Sequence, residues 1–196
     1  MAKRLFDIIA SGVGLLCLAP VFILVALWIK ADSPGPVFFR QARAGRGGRV
    51  FRIYKFRSMR VGSDKGSQIT IGGHDSRITR SGVFIRRFKI DELPQLINVF
   101  LGDMSFVGPR PEVPHYVDMY SEEQREVLRV RPGITDLASI KYRDENEILG
   151  TVDDPEAYYV SVIMPDKLSI NLDYVRHHSF IGDIRIILMT LFKIFK

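Results

Sequence analysis

A single cysteine, Cys17, in a chain of 196 residues leaves no partner for an intramolecular disulfide. A disulfide-stapled secreted scaffold and a cysteine-based zinc site are thereby excluded. Histidine is scarce too, with four in the chain. His177 and His178 are adjacent rather than spaced for a metal on one helix face, and His115 stands alone, so these read as structural or exposed side chains. No repeat period is visible, which sets aside solenoids and arrays. Charge is absent altogether from residues 8–29.

That uncharged run is the most informative absence. At ~1.5 Å rise per residue it makes a helix long enough to cross a hydrocarbon core. It is too long for a signal-peptide core, and Ala19-Pro20 lies in its middle rather than at a cleavage site, so the segment is expected to be retained. Cations flank it on both sides: Lys3 and Arg4 before it, then Lys30, Arg40, Arg43, Arg46, Arg49 and Arg52. Cations tend to stay on the cytoplasmic side. A segment that enters the bilayer, bends at Pro20 and returns to the same face suits both flanks, whereas a straight crossing would leave Lys3 and Arg4 outside. The re-entrant form is the favoured reading. It gives a membrane helix at 1–31 and a second unit at 32–196.

Elsewhere charge is plentiful, with 28 Lys and Arg against 22 Asp and Glu, a net charge of +6. Such a balance favours anionic partners: phosphorylated ligands, anionic lipid or nucleic acid. Asp32-Ser33-Pro34-Gly35-Pro36 is a turn-rich exit from the apolar run. Short strands at 37–41 and 50–57 around a Gly45-to-Gly48 turn predict a small β-hairpin. Its interleaved cations and aromatics suit phosphate headgroups, nucleic acid or a solvated basic edge. The polar, glycine-rich residues 62–73 predict a loop, either a lid or inert. It leads into His74-Asp75-Ser76-Arg77, where Arg77 either pairs locally with Asp75 or faces an anion.

Ser121 and Gln124 form a capping box that should open a helix running to Val130. Asp144, Glu145 and Glu147 lack ion-loop spacing and read as solvated surface. Residues 180–196 place Ile184, Ile187, Leu188, Leu191 and Phe195 on one face. The stretch is too short in uncharged residues to cross a bilayer, but suits a helix lying in the interface or one facing the core. The interfacial form is preferred because a membrane anchor is already present. The predicted fold class is α+β: a mainly helical, membrane-associated domain with a small β-hairpin and the re-entrant N-terminal helix.

The candidate chemistry lies in Arg86-Arg87-Phe88-Lys89-Ile90-Asp91-Glu92-Leu93-Pro94-Gln95-Leu96. Phe84, Phe88, Leu93, Leu96, Ile97 and Phe100 recur at helical spacing, and Pro94 predicts a restart just after the acidic pair. One carboxylate could attack phosphorus while its neighbour helps hold a divalent cation. An acidic pair before proline also occurs as a plain helix start. Downstream, Pro109 and Pro111 stiffen the backbone on either side of Arg110, which suits a guanidinium that forks onto phosphate.

Together the motifs resemble the bacterial sugar transferase family, the small monotopic phosphoglycosyl transferases. The resemblance runs through the proline-interrupted apolar segment, Gly35-Pro36-Val37-Phe38-Phe39-Arg40-Gln41, Tyr54-Lys55-Phe56-Arg57-Ser58-Met59, Asp75-Ser76-Arg77, Asp91-Glu92-Leu93-Pro94-Gln95-Leu96, Gly102-Asp103-Met104-Ser105, Pro109-Arg110-Pro111 and Arg131-Pro132-Gly133-Ile134-Thr135. The lack of four preceding membrane helices makes it similar to the short form.

The resemblance implies a re-entrant helix and a catalytic domain, 32–196, on the cytosolic face of the bacterial inner membrane. It implies transfer of a sugar 1-phosphate from a nucleoside diphosphate sugar, a UDP-sugar foremost, to polyprenyl phosphate, initiating glycoconjugate assembly. Asp91 matches the nucleophile and Glu92 its partner, both at a Mg²⁺ site; Lys55, Arg77 and Arg110 match phosphate- or substrate-binding positions. Two departures stand out. Asp136 and Ile140-Lys141-Tyr142-Arg143-Asp144-Glu145 replace a glycine-bearing element, so sugar preference does not carry over, and Asn171 stands where many members have an acid, with Asp173 nearby. The alternative is a noncatalytic peripheral protein on anionic lipid, with nucleic-acid binding ranked behind both and therefore not expected. Oligomeric state is left open by the sequence.

Overall fold

The computed structural model describes residues 2–63 and 75–194; the glycine-rich stretch beyond Ser63, His74 and Phe195 lie outside them. The chain opens with α1 (Ala2–Asp32), helical through Pro20 without interruption. Strands β1 (Phe38–Ala44) and β2 (Val50–Phe56) form an antiparallel hairpin around a tight turn at Arg46–Gly48. Helices α2 (Arg80–Arg87) and α3 (Gln95–Leu101) flank a 3₁₀ turn at Ile90–Glu92. Then come β3 (Ser105–Val107), α4 (Pro114–Val117), a 3₁₀ segment at Gln124–Arg129 and β4 (Gly133–Thr135). The remainder is helical: α5 (Leu137–Lys141), α6 (Glu145–Leu149), α7 (Pro155–Tyr158), α8 (Met164–His177) and α9 (Phe180–Ile194). A π-helical segment, Tyr159–Ile163, joins α7 to α8.

The α+β class and the hairpin agree with the sequence expectation. The parallel pairing of β3 with β4, Ser105 opposite Gly133 and Val107 opposite Thr135, does not appear in the sequence pattern because strands this short carry no periodicity. Glycine makes the pairing possible: a Cβ on Gly108 would stand 2.4 Å from the Arg131 carbonyl, and one on Gly133 2.2 Å from the Gly108 nitrogen. The capping box forms as expected, with Ser121 N donating to Gln124 Oε1 at 2.9 Å and Gln124 N to Ser121 Oγ at 3.2 Å. The helix it opens is 3₁₀ rather than α.

Among the described residues, α1 is the one helix long and apolar enough to cross a membrane. Its middle packs on one side, where Gly12 and Gly14 lie against Phe100 and Leu96, and is open on the other, with Leu16 at 78% and Leu24 at 67% exposure. Both its ends are fastened to the rest of the chain. At the start, Lys3 pairs with Asp183 of α9 at 2.5 Å and donates to the Val107 carbonyl at 2.8 Å. Arg4 donates to the carbonyls of Val99 and Phe100 at 2.6 and 2.9 Å, satisfying the C-terminal end of α3. Buried Asp7 accepts from Ser105 Oγ and Phe106 N at 3.2 and 3.1 Å. At the far end, Asp32 accepts from Ser81 N and Oγ at 2.9 and 2.8 Å, and buried Arg57 donates to the Ser33 carbonyl at 2.7 Å.

The core is divided. Val25 and Ile29 of α1 pack with Phe56 and Ile85, while Ile53, Val99 and Met104 fill the space between β2 and α3. A larger cluster includes Tyr116, Val127, Leu149, Tyr159, Ile163 and Leu168. Helix α9 faces the core on one side, with Ile186 buried against Val107 and Tyr174, while Leu188 and Leu191 on the other side remain about half exposed.

Asn98, fully buried on α3, registers that helix on the hairpin. Its Oδ1 accepts from Tyr54 N at 2.9 Å and its Nδ2 donates to the Arg52 carbonyl at 2.9 Å. Lys55 is thereby placed beside the turn that precedes α3.

Candidate active site

The chain must turn sharply between α2 and α3, and a backbone strain marks the place. Lys89 sits at φ +55°, the one positive-φ residue other than glycine among those described. A side chain in that left-handed region costs on the order of 1 kcal/mol, and the neighbouring structure must hold it there. The strain throws residues 90–92 into their 3₁₀ turn, with Asp91 and Glu92 directed inward. Pro94 is the N-cap of α3 rather than its first residue, a one-residue difference from the sequence expectation. Phe84, Phe88 and Phe100 are about half exposed, so the helical periodicity in this stretch does not mark a core face.

The two carboxylates have opposite surroundings. Glu92 accepts from Lys55 Nζ at 3.0 Å, and the Arg110 guanidinium forks onto both its oxygens, the Nη1–Oε2 contact being 3.3 Å. Burial pushes the Glu92 pKa up, but Arg110 and Lys55 outweigh it and hold the carboxyl well below the usual carboxylate range. Asp91 is 7% exposed, and its Oδ1 is buried without a hydrogen-bond partner. Burial raises its pKa; Lys55 pulls it back, while the Glu92 charge adds to the rise. Adjacent carboxylates pushed apart in this way can divide their roles, one a fixed anion and the other a reactive group.

The cations respond accordingly. Burial lowers the Lys55 pKa against the opposing pull of Glu92, whereas Glu92 is the main cause of the rise at Arg110. Arg110 stands on the turn between β3 and α4, braced by Gly133 N donating to the Pro109 carbonyl at 3.0 Å. The structure thus joins Lys55, Arg110 and the acidic pair, which the sequence singled out separately. Arg77 forks onto Asp75, with Nε–Oδ1 at 2.9 Å and Nη2–Oδ2 at 2.6 Å, and its Nη1 donates to the Ser63 carbonyl at 3.2 Å. The local Asp75–Arg77 pair therefore exists.

Gln95 and the Arg43–Glu112 pair, which carry no individual sequence signal, lie near this site. Gln95, the first residue of α3, is fully buried with both side-chain amide atoms unpaired. Arg43 and Glu112 form a second ion pair at 3.3 Å. Asn171 is buried with Oδ1 unpaired, whereas Asp173 is exposed and pairs with His177 at 3.0 Å. Among the described residues no group of three or more His, Cys, Asp or Glu side chains gathers as a ready metal cage. A divalent ion here would share its coordination between the acidic pair and a ligand.

A strained turn that presents one neutralised and one unpaired carboxylate beside a braced arginine brings together an anion-binding fork and a candidate nucleophile, the groups that phosphoryl chemistry uses. The chain belongs to the bacterial sugar transferase family, whose model matches residues 1–196. It is 41% identical over 199 residues to the UDP-glucose:undecaprenyl-phosphate glucose-1-phosphate transferase of Xanthomonas campestris pv. campestris, covering 99% of this chain and 39% of the relative. It is also 41% identical to the exopolysaccharide production protein PSS of Rhizobium leguminosarum bv. phaseoli, covering 96% of this chain and 92% of the relative. A third relative, the UDP-N-acetylgalactosamine-undecaprenyl-phosphate N-acetylgalactosaminephosphotransferase of Aeromonas hydrophila, is 46% identical over 144 residues, 70% of this chain and 33% of the relative. The chain spans about two fifths of the length of the Xanthomonas relative and of its Escherichia coli (strain K12) counterpart.

The opposite surroundings of the acidic pair predict opposite effects on stability. With its folded pKa raised, ionised Asp91 weakens the fold as pH rises through that pKa. Asp91→Asn should therefore unfold at a higher temperature than the parent at pH 7. Glu92, with its folded pKa lowered, stabilises the fold above the unfolded value near ~4.3 and loses that contribution as pH falls through the folded pKa. Glu92→Gln strands Lys55 and Arg110 and should cost on the order of 2 kcal/mol, less than a fully dry pair because Arg110 still reaches water. Thermal unfolding in matched detergent checks both; destabilisation by Asp91→Asn equal to that of Glu92→Gln would contradict the division.

Proposed function

We propose that the protein is a phosphoglycosyl transferase that moves a sugar 1-phosphate from a UDP-sugar to polyprenyl phosphate. The observation that carries this reading is the asymmetry of the pair: Glu92 is neutralised by Lys55 and Arg110, while Asp91 keeps a buried, unpartnered oxygen. Family membership and the names of the relatives support the substrate class. Those relatives are named for glucose and for N-acetylgalactosamine, so the reading assigns the UDP and phosphate chemistry and not one sugar.

In the proposed reaction an Asp91 carboxylate oxygen attacks the phosphorus that bears the sugar. The bond from that phosphorus to the bridging oxygen breaks, and UMP leaves with the electron pair. The resulting aspartyl-phosphosugar is then attacked at phosphorus by an oxygen of polyprenyl phosphate, which frees the Asp91 carboxylate. Burial favours the attack by leaving the Asp91 oxygen unsolvated, and the raised pKa makes it a stronger nucleophile once ionised. Arg110 turns its fork from Glu92 toward the donor phosphates, and Lys55 keeps Glu92 neutralised in the meantime.

The unpartnered Asp91 Oδ1, with Glu92 Oε2 once Arg110 turns to the donor, would offer Mg²⁺ the one or two protein carboxylates it takes, its shell completed by phosphate and water. When bound, the ion would withdraw charge from the diphosphate.

The proposal places the protein on the cytosolic face of the bacterial inner membrane, with α1 re-entrant. Support comes from α1 being fastened at Lys3, Arg4 and Asp7 and again at Asp32, all to the same body. A crossing helix would carry Lys3 about 30 Å away from the side that holds Asp183. Exposed Leu16, Leu24, Phe88, Leu101 and Ile181 supply apolar surface for lipid.

Release of UMP on mixing protein, UDP-sugar, Mg²⁺ and polyprenyl phosphate tests the activity. Asp91→Asn should abolish it with the fold intact, and Arg110→Lys should lower efficiency about tenfold or more because the planar fork is lost. In the parent, kcat/KM should rise with pH through a pKa above the ordinary aspartate value near ~3.9, because Asp91 must ionise to attack. Full activity in Asp91→Asn would remove it as nucleophile.

Topology is tested separately with cysteines at Ala2 and at exposed Met119 in a Cys17→Ala background. Both should resist an impermeant thiol reagent until the membrane is opened. Labelling of position 2 alone in intact cells would establish a crossing helix.

A further inference from the structure

The site contains a second ion pair that the proposed chemistry leaves unused. Arg43 stands near the end of β1, and cross-strand pairing of Phe39 with Lys55, Gln41 with Ile53 and Arg43 with Phe51 puts Lys55, Gln41 and Arg43 on one face of the hairpin. On that face Arg43 Nη2 donates to Gln41 Oε1 at 2.6 Å, and Nη1 donates to Glu112 Oε1 at 3.3 Å and to the Pro111 carbonyl at 3.2 Å.

Glu112 is held on every side. Its carboxylate also accepts from Val113 N at 2.8 Å and from the Tyr159 hydroxyl, and its carbonyl accepts from Ala44 N at 2.9 Å. Tyr159 opens the π-helical segment, an insertion that re-aims side chains and recurs at functional sites. Burial raises the pKa of its phenol, with Glu112 adding to the effect, so the proton stays on the hydroxyl, which donates a hydrogen bond to the carboxylate.

The consequence falls on Arg110. Its two flanking carbonyls are each tied down, Pro109 by Gly133 N and Pro111 by Arg43. Glu92 also holds the Arg110 side chain, but that contact must yield when phosphate arrives. A guanidinium that exchanges one anion for another keeps its aim only if its backbone stays fixed. The Arg43–Glu112 pair has no such exchange to make.

We propose that Arg43 is a positioning residue for Arg110: clamped by Glu112 and Tyr159, it fixes the Pro111 carbonyl so that Arg110 meets the donor diphosphate in a productive geometry. Glu112 also neutralises Arg43, which otherwise would repel Arg110 across the same face. The inference rests on the proposed phosphate-binding role of Arg110.

A double-mutant cycle separates positioning through Arg110 from a general structural role. In the parent, Arg43→Gln should lower kcat/KM for UMP release by on the order of 10- to 100-fold, as a misplaced binding group does. In an Arg110→Ala background the same change should alter kcat/KM within about twofold. A loss of equal size in both backgrounds overturns the proposal while leaving the assigned reaction standing.

Amide hydrogen exchange supplies a readout independent of turnover. Arg43→Gln should speed exchange at Ala44 and Val113 about tenfold, with Gly82 and Tyr54 unchanged. Unchanged exchange at Ala44 and Val113 overturns the proposal even if no donor is turned over. Should Arg43→Gln lose protection throughout, Tyr159→Phe, which removes one hydroxyl, takes its place. It should lower kcat/KM several-fold in the parent and within about twofold beside Arg110→Ala, and equal losses would overturn the proposal.

Discussion

Everything at the centre of this protein depends on how Glu92 is neutralised. A carboxylate this enclosed could not remain ionised alone, because taking an unpaired charge out of water costs several kcal/mol. Lys55 from the hairpin and Arg110 from the turn after β3 supply the missing charge, so two distant stretches are drawn onto one residue. Their convergence on Glu92 is also what leaves Asp91 without a cation bonded to it. In the proposed reaction the nucleophile is set apart by a neighbour that takes the available partners.

The scaffold is arranged to keep that contact in place. Asn98 fixes α3 to the edge of β2, the left-handed backbone at Lys89 directs the acidic pair inward, and the close approach of Gly108 to Gly133 sets the Arg110 turn. Helix α1 is fastened at both ends, with the exposed side of its middle offered to lipid in the proposed membrane setting. The site therefore stands at a fixed height relative to α1. The proposed reaction, between a water-soluble donor and a lipid-borne phosphate, would use such a height.

Much of this was legible in the sequence where a motif carried its own chemistry. The hairpin followed from short strands around glycines and the interruption at Asp91-Glu92 from the proline behind it, while Arg110 was marked by its flanking prolines and, with Lys55, by the family resemblance. What the sequence could not show was the contacts themselves. Nothing in the spacing of Lys55, Glu92 and Arg110 says that one carboxylate takes both cations, because that is fixed by the register of β2 and the pairing of β3 with β4. Glu112 and Tyr159 carry no signal in the sequence for the same reason, and Arg43 stands there only as one cation of a basic flank: the three meet only through folding. The half-exposed Phe84 and Phe88 show the converse failure, since helical periodicity identifies an apolar face without saying whether protein or lipid covers it.

The central claim is that Asp91 alone of the pair forms a covalent bond to phosphorus. Intact-protein mass spectrometry after incubation with UDP-sugar and Mg²⁺, without polyprenyl phosphate, tests it most directly. The account predicts an added sugar phosphate that maps to Asp91 by peptide fragmentation, is absent from Asp91→Asn, and disappears when the lipid acceptor is supplied. An unmodified parent under conditions that release UMP, or an adduct that persists in Asp91→Asn, would contradict it.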